Sequence, residues 1–377
     1  MRFILVLLLV VHGLIHVLGF MKAWQLAALP QLSRVAALDA PPPVVKTVGL
    51  LWLVVSALLL ASALSVLLRT ASWWQLGLIG VAVSQLLILL AWQDAKAGTW
   101  INLLLLVTMS IGAAHERFHH ESDAQATALL SDAASVTPTL LTSAAVASLP
   151  ATVQRWLQRS GAVDRPSPRG VRLRQRGSLR ASPRGAWMPV TASQYFNVSE
   201  PSFVWEVDAR MAKVLPLVGR DSYLEGRGHM LIKLLSLVPV VDVANERIDQ
   251  GTLLRFLGEL CWFPGAAAHA YLQWVARDER SADVTMTHRG VTATATFTFD
   301  ALGRVTSVAA ERYLGGGPDA KREHWVIPMR EWTRVGDVEI PVRGDAIWKL
   351  PDGDFSYYRW EIVELEADRF EPYASAR

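Results

Sequence analysis

Four stretches at the front of the chain are apolar without interruption. Residues 3–20, 48–68, 73–92 and 97–114 contain no Asp, Glu, Lys or Arg. Crossing a ~30 Å hydrocarbon core takes about 20 helical residues, and backbone in lipid must bond to itself. The pattern therefore predicts four transmembrane helices. Trp73, Trp74, Trp92 and Trp100 stand at or near run ends, where amphipathic rings favour the interface. Residues 124–148 then hold one charge, Asp132, among Ala, Ser, Thr and Leu, and read as a loose linker. Residues 149–160 (LPATVQRWLQRS) predict a short amphipathic helix, with Pro150 in its first turn, Val153, Trp156 and Leu157 on one face, and Gly161 as its stop.

Beyond that helix the period falls from 3.6 to 2. Strands are predicted at 171–180, 187–196 and 203–210, then at 284–288, 291–299 (VTATATFTF), 304–313, 324–333, 338–350 and 354–365, with Gly, Asp and Pro between the later ones. Residues 251–260 (GTLLRFLGEL) read as a helix that Trp262-Phe263-Pro264 ends. The expected fold class is α+β: a four-helix membrane part at 1–120, a linker at 121–148, and a soluble antiparallel β domain at 149–377. Its sheet is expected to be curved, or an open half-barrel with embedded helices.

Composition sharpens this division. Residues 1–114 hold six of the 37 Lys and Arg and two of the 34 Asp and Glu. The remainder has the charge content of a soluble domain. This excludes a wholly soluble globule, a disordered chain and a wholly embedded transporter. A single cysteine, Cys261, excludes an intramolecular disulfide framework and a Cys-rich zinc site. The first run is long for a signal peptide and lacks a small-residue cleavage site after Phe20. Arg2, Arg69 and Arg117 on one side balance Lys22, Arg34, Lys46 and Lys96 on the other, so the positive-inside rule does not set an orientation.

Residues 151–185 hold nine Arg and one Asp, against 22 basic and 31 acidic residues in the rest of the soluble part. The Arg-rich 155–184 segment could meet anionic headgroups, pair with the acidic remainder, or bind nucleic acid. Nucleic acid is the weakest reading, because no binding module accompanies the charge. Alternation of Arg172, Arg174 and Arg176 fits one solvated strand face.

Candidate chemistry is sparse. His12 and His16, one turn apart in the first run, could ligate a metal or haem or relay protons; neutral imidazoles bonded to a neighbouring helix are the favoured reading. His115-Glu116-Arg117-Phe118-His119 matches H-E-x-x-H, which on a helix offers zinc two imidazoles and Glu116 as a base. Its surroundings are polar all round and no third ligand follows, so a polar end to the fourth helix is favoured. In the soluble part the ligand-binding candidates are Asp221, Tyr223, Glu225, Lys233, Arg255, Glu259, Trp262, Glu311, Arg312, Tyr357, Arg359 and Glu361. Gly226-Arg227-Gly228 lacks the third glycine of a nucleotide loop, and neither a P-loop nor a G-x-S-x-G occurs. Nine tryptophans in residues 115–377 imply a thick core or a lined cavity, with core the default.

HGLIHVLGFMKAW (12–24), WQDAKAGTWIN (92–102), GRDSYLEGRGHMLIKLL (219–235) and GELCWFPGA (258–266) together resemble an uncharacterised bacterial membrane-protein family. Its members place a four-helix membrane part before a β-rich domain of unknown function. At fold level the soluble part is similar to the open β-barrels of lipoprotein-carrier and lipoprotein-sorting proteins. The family resemblance supplies no activity; the β meander, the tryptophan load, the 251–260 helix and the fold-level likeness together lead to the expectation of a multi-pass protein of the bacterial inner membrane whose β domain accepts a lipid or other apolar ligand. The alternative is a membrane-associated zinc metallopeptidase using His115, Glu116 and His119. No cofactor is expected except zinc under that alternative.

Overall fold

A computed structural model describes residues 2–30, 32, 40–70, 73–212 and 214–374. Arg34 of the charge comparison lies outside them. The chain divides into two compact units between Phe118 and His119.

The first unit contains α1 (Arg2–Ala23), α2 (Pro42–Leu68), α3 (Trp73–Leu90), the single turn α4 (Trp92–Ala95) and the first half of α5 (Gly98–Ser135). Each of the four long helices is long and apolar enough to cross a membrane. Their seam is built from Leu9, Trp52, Val55, Leu59, Val81, Leu87, Leu105 and Met109, while Phe3, Ile4, Leu7, Leu86 and Leu104 face outward. Small residues set the spacing. A Cβ on Gly19 would lie 2.5 Å from the Trp52 ring, so only glycine lets α1 and α2 approach this closely.

The second unit begins on the same α5. Residues 121–148, expected as a linker, are instead helical to Ser135, then form β1 (Leu140–Leu141) and α6 (Ser143–Ala147). The Ala-rich composition that suggested looseness is good helix-forming material. Ala126, Leu129, Leu130 and Ala133 repeat at helical spacing and are buried, the first three against Tyr195, Val204 and Tyr373. The segment 115–121 accordingly does not end the fourth helix. Next comes α7 (Ala151–Ser160), closed by Gly161 at φ 80° as the sequence predicted. A short strand β2 (Arg165–Pro166) pairs with β1.

A 13-stranded antiparallel sheet follows. Its first meander is β3 (Gly170–Leu179), β4 (Met188–Asn197), β5 (Ser202–Met211), β6 (Leu215–Leu224), β7 (Arg227–Leu234) and β8 (Val238–Val243). Asn245 caps α8 (Glu246–Glu259), accepting from the Arg247 and Ile248 N–H groups, and two 3₁₀ turns follow at Leu260–Trp262 and Pro264–Ala266. The second meander is β9 (Leu272–Asp278), β10 (Ser281–His288), β11 (Val291–Phe299), β12 (Val305–Tyr313), β13 (Arg322–Val335), β14 (Val338–Leu350) and β15 (Gly353–Ala367). The sheet runs β8 to β3, then β15 to β9, so the meanders join where β3 pairs with β15 and the edges are β8 and β9. The sheet is not closed into a barrel.

The β3–β15 seam explains the arginine strip. Arg172 meets Glu366 at 2.6 Å, Arg174 meets Glu364 at 3.3 Å and Arg176 meets Glu361 at 2.6 Å, each opposite its partner in the register. Arg159, Arg165 and Arg169 pair with Glu339, Asp337 and Asp368. Six of the strip's nine arginines thus neutralise the acidic remainder.

The inner face is packed. Helix α8 lies against β6, β7, β11 and β12 and so spans both meanders. Phe196, Phe203, Leu253, Phe256, Leu257, Phe263, Phe297, Trp325, Trp348 and Trp360 belong to one continuous core. Most of the tryptophan load is therefore core rather than the lining of an open trough.

Candidate functional site

An opening lies beside this core. A cavity of about 490 Å³ lies in the second unit, within the ~300–1,000 Å³ usual for small-molecule sites. Four segments form it: the approach to β3, the 3₁₀ turns after α8, the β13–β14 turn, and the end of β15. Val171, Phe263, Pro264, Val335, Ile340 and Leu365 give it an apolar wall. The Trp-Phe-Pro-Gly run that stops α8 makes the floor. Gly265 packs tightly there, since a Cβ would sit 3.0 Å from the Pro168 ring and 3.2 Å from the Ser167 Cα.

Trp262 also lines this cavity. It is 5% exposed, packs edge-to-face with Trp360 at 5.2 Å, and its Nε1–H has no hydrogen-bond partner. A buried donor without an acceptor costs roughly 1–3 kcal/mol, so an acceptor brought by a ligand would be rewarded. The rim carries charge, but in pairs. Arg165 bridges Asp337, Arg172 bridges Glu366, and Asp368 accepts from the Arg169 N–H at 2.9 Å. Behind the wall, Ser167 Oγ hydrogen-bonds His269 Nε2 at 2.9 Å, and burial holds that imidazole below its ordinary pKa.

The structure draws three of the predicted residues together elsewhere, inside the core. Arg255 Nη1 reaches Asp221 Oδ2 at 2.7 Å, and its Nε reaches Glu259 Oε1 at 2.9 Å. Gln194 Nε2 donates to the other Glu259 oxygen at 2.7 Å. The guanidinium lies 4.6 Å from the Trp205 ring centroid, and Gln175 accepts from both Trp205 and Tyr358. Burial pushes the Glu259 carboxyl up, with Arg255 pulling against it. Burial also opposes the Arg255 charge, but the two carboxylates overcome it and raise its pKa. Asp221 Oδ1 and Gln194 Oε1 find no hydrogen-bond partner. This network pins α8 to β4 and β6.

The remaining candidates are scattered. Tyr223 OH meets His288 Nδ1 at 3.0 Å, and His288 Nε2 meets Glu200 at 2.9 Å, tying one meander to the other. Arg312 stacks over Trp325 and reaches Tyr357 OH, which also accepts from Trp325. Glu311 pairs with His324, Glu361 with Arg176 and Arg343, and Arg359 with Asp345. Glu225 occupies a turn at φ 52°, and Lys233 lies on β7. Of the predicted ligand-binding residues only Trp262 lines the cavity. The apolar wall was missed, because aliphatic residues near a helix stop look like ordinary core.

The histidines are also placed. In the first unit His12 Nε2 bonds Asn102 Oδ1 at 2.9 Å, while His16 bonds the His12 carbonyl and Ser84 Oγ, both at 2.8 Å. Three of the four ring nitrogens are thus engaged by protein groups, as expected for imidazoles bonded to neighbouring helices. His115 and Glu116 belong to the first unit, where Glu116 accepts from Trp74 Nε1. His119 belongs to the second, its ring nitrogens 2.9 Å from Glu206 and 3.5 Å from Asp208.

No curated protein matches the chain. Among solved structures it is similar to a domain from Vibrio parahaemolyticus provisionally described as an outer membrane lipoprotein-sorting protein. The identity is 8% and the TM-score 0.34, over 52% of this chain and 85% of that one, a likeness too distant to carry a function. Residues 139–360 match the model of a family described as "Family of unknown function (DUF6544)". That match takes in more than half of the 377 residues, covering the approach to the sheet and all but the end of β15, and the chain belongs to this family.

Proposed function

We propose that the protein is a membrane-anchored binding protein whose β domain takes an apolar or amphipathic small molecule, such as a lipid chain, into the cavity beside Trp262. The observation that carries this reading is a cavity of small-molecule size with apolar residues Val171, Phe263, Pro264, Val335, Ile340 and Leu365 in its lining, beside Trp262, whose buried N–H has no hydrogen-bond partner. An acyl chain would cover the wall, and an ester or carboxyl oxygen would accept that hydrogen bond. The rim charges neutralise one another, which favours a neutral or zwitterionic ligand over a highly charged one. The ligand site lies at one end of the sheet, not along its packed inner face. Helical spans, rather than strands, are the form suited to a bacterial inner membrane, and we place the anchor there. This reading needs no cofactor.

Native mass spectrometry of the full chain released from nanodiscs tests it. Wild type should retain a lipid-sized adduct that Ala367→Trp, which fills the cavity mouth, loses, and that Trp262→Phe weakens. Equal adducts on all three proteins, or none on wild type, would overturn the reading.

A further inference from the structure

Among the described residues of the second unit, twelve large hydrophobic side chains are exposed. Six of the twelve fall on two adjacent hairpins: Met211, Val214 and Leu215 at the β5–β6 turn, and Leu237, Val238 and Val240 at the β7–β8 turn. The others are spread singly. Both turns lie at one end of the sheet, because consecutive antiparallel hairpins alternate ends. Their bases are held side by side by the Leu217–Leu234 pairing and by the Leu235 N–H, which donates to the Pro216 carbonyl at 2.8 Å. The result is one aliphatic ridge on two tips.

Neither tip has the chemistry an ordinary hairpin turn prefers. Turn positions with φ above zero favour Gly, Asn or Asp. Here Ala212, Leu235 and Ser236 hold φ of 49°, 55° and 59°. The edge strand β8 carries the usual guards in Pro239 and Asp242, yet still exposes Val238 and Val240 toward its turn end. The exposed apolar surface is thus maintained against local preference, which marks an interaction site.

We infer that these two tips dip into the lipid interface of the membrane that the chain itself spans. Three features select a bilayer as the occupant. The ridge stands on two turns at one end of the sheet and takes no part in lining the cavity beside Trp262. Cations stand next to the aliphatic residues in the chain: Arg210 precedes Met211, and Lys233 stands four residues before Leu237. The nearest acids are engaged elsewhere, Asp208 with His119 and Asp242 with His229. Apolar residues backed by cations fit the acyl boundary of an anionic leaflet. Finally, four candidate spans on the same chain hold a bilayer at high effective concentration.

The test places a cysteine at Val214 or Val238 of the full chain, labels it with an environment-sensitive fluorophore, and reconstitutes it in phosphatidylcholine–phosphatidylglycerol nanodiscs with plain or brominated acyl chains. Leu302→Cys, an exposed position on the β11–β12 turn, is the control. Cys261 is 1% exposed, and the unsubstituted chain supplies the blank. Both tip labels should lose most of their emission in brominated nanodiscs while the control keeps its own. Quenching at neither tip, at only one of them, or equally at all three positions would overturn the inference. Loss of emission in the presence of an added protein extract alone would point to a protein partner and also overturn it.

Discussion

The two units obey one rule in opposite directions. In the first, Phe3, Ile4 and Leu7 are exposed and His12, His16, Ser84 and Asn102 are buried. In the second, the phenylalanines and tryptophans are mostly buried and the arginines form surface pairs. Most buried hydrogen-bonding groups find partners in both, but only the second keeps its charges outside and its large apolar groups inside, as water requires. The second unit also has two exceptions. It buries the Asp221–Arg255–Glu259 network and exposes the aliphatic tips, and both are the kind of departure expected where a surface or core does more than fold.

Three experiments bear on that contrast, from the largest effect to the smallest. Arg255→Met would leave two carboxylates in the soluble core without their cation and should cost about 3–5 kcal/mol, read as a fall in the denaturant midpoint of tryptophan fluorescence. The triple replacement Asp221→Leu, Arg255→Met, Glu259→Leu should recover most of that loss. A single-variant cost near zero would show that water reaches the network. In the first unit, Asn102→Leu removes the partner of His12 and Ser84. Polar bonds between spans are worth less, so a cost of about 1 kcal/mol is expected in a detergent unfolding titration. An effect as large as that of Arg255→Met would erase the distinction between the two interiors.

The smallest effect is at the surface. Hydrogen bonds from His288 and Arg289 hold the Glu200 carboxyl below its ordinary range. A lowered folded pKa gives stability that is present above the ordinary carboxylate pKa and is lost as pH falls through the lowered value. Glu200→Gln should therefore flatten a shallow acid limb by lowering the melting temperature slightly at neutral pH while leaving it unchanged at pH below the lowered pKa. Glu200 is half exposed, so solvent screening keeps this limb small.

Elements with one dry and one wet face were legible in the sequence. The repeat VTATATFTF became β11 with its predicted bounds, and the four apolar runs became the four candidate spans. Strand β6 was not legible. Val218 to Tyr223 are buried without a break, because its two faces meet different partners. Arg220 contacts Ser122 of α5, while Asp221 contacts Arg255 of α8. A strand covered on both sides by polar partners loses the alternation that identifies strands. The continuation of α5 was hidden for a related reason, since a small-residue helix face resembles a linker until Tyr195 and Tyr373 are seen against it. The cavity depends on four segments far apart in the chain, and no local pattern encodes such a convergence.

The β3–β15 seam bears on the order in which the protein can be made. Arg174 and its partner Glu364 are 190 residues apart, so a ribosome finishes the first meander long before the strand that completes it. Throughout that interval β3 is a bare edge, open to pairing with another chain. Its row of Arg172, Arg174 and Arg176 repels a second copy of itself. The arriving β15 offers Glu366, Glu364 and Glu361, which stand opposite that row in the observed register. The same charges that hold the finished sheet together would therefore guard the nascent one and suit its proper last strand.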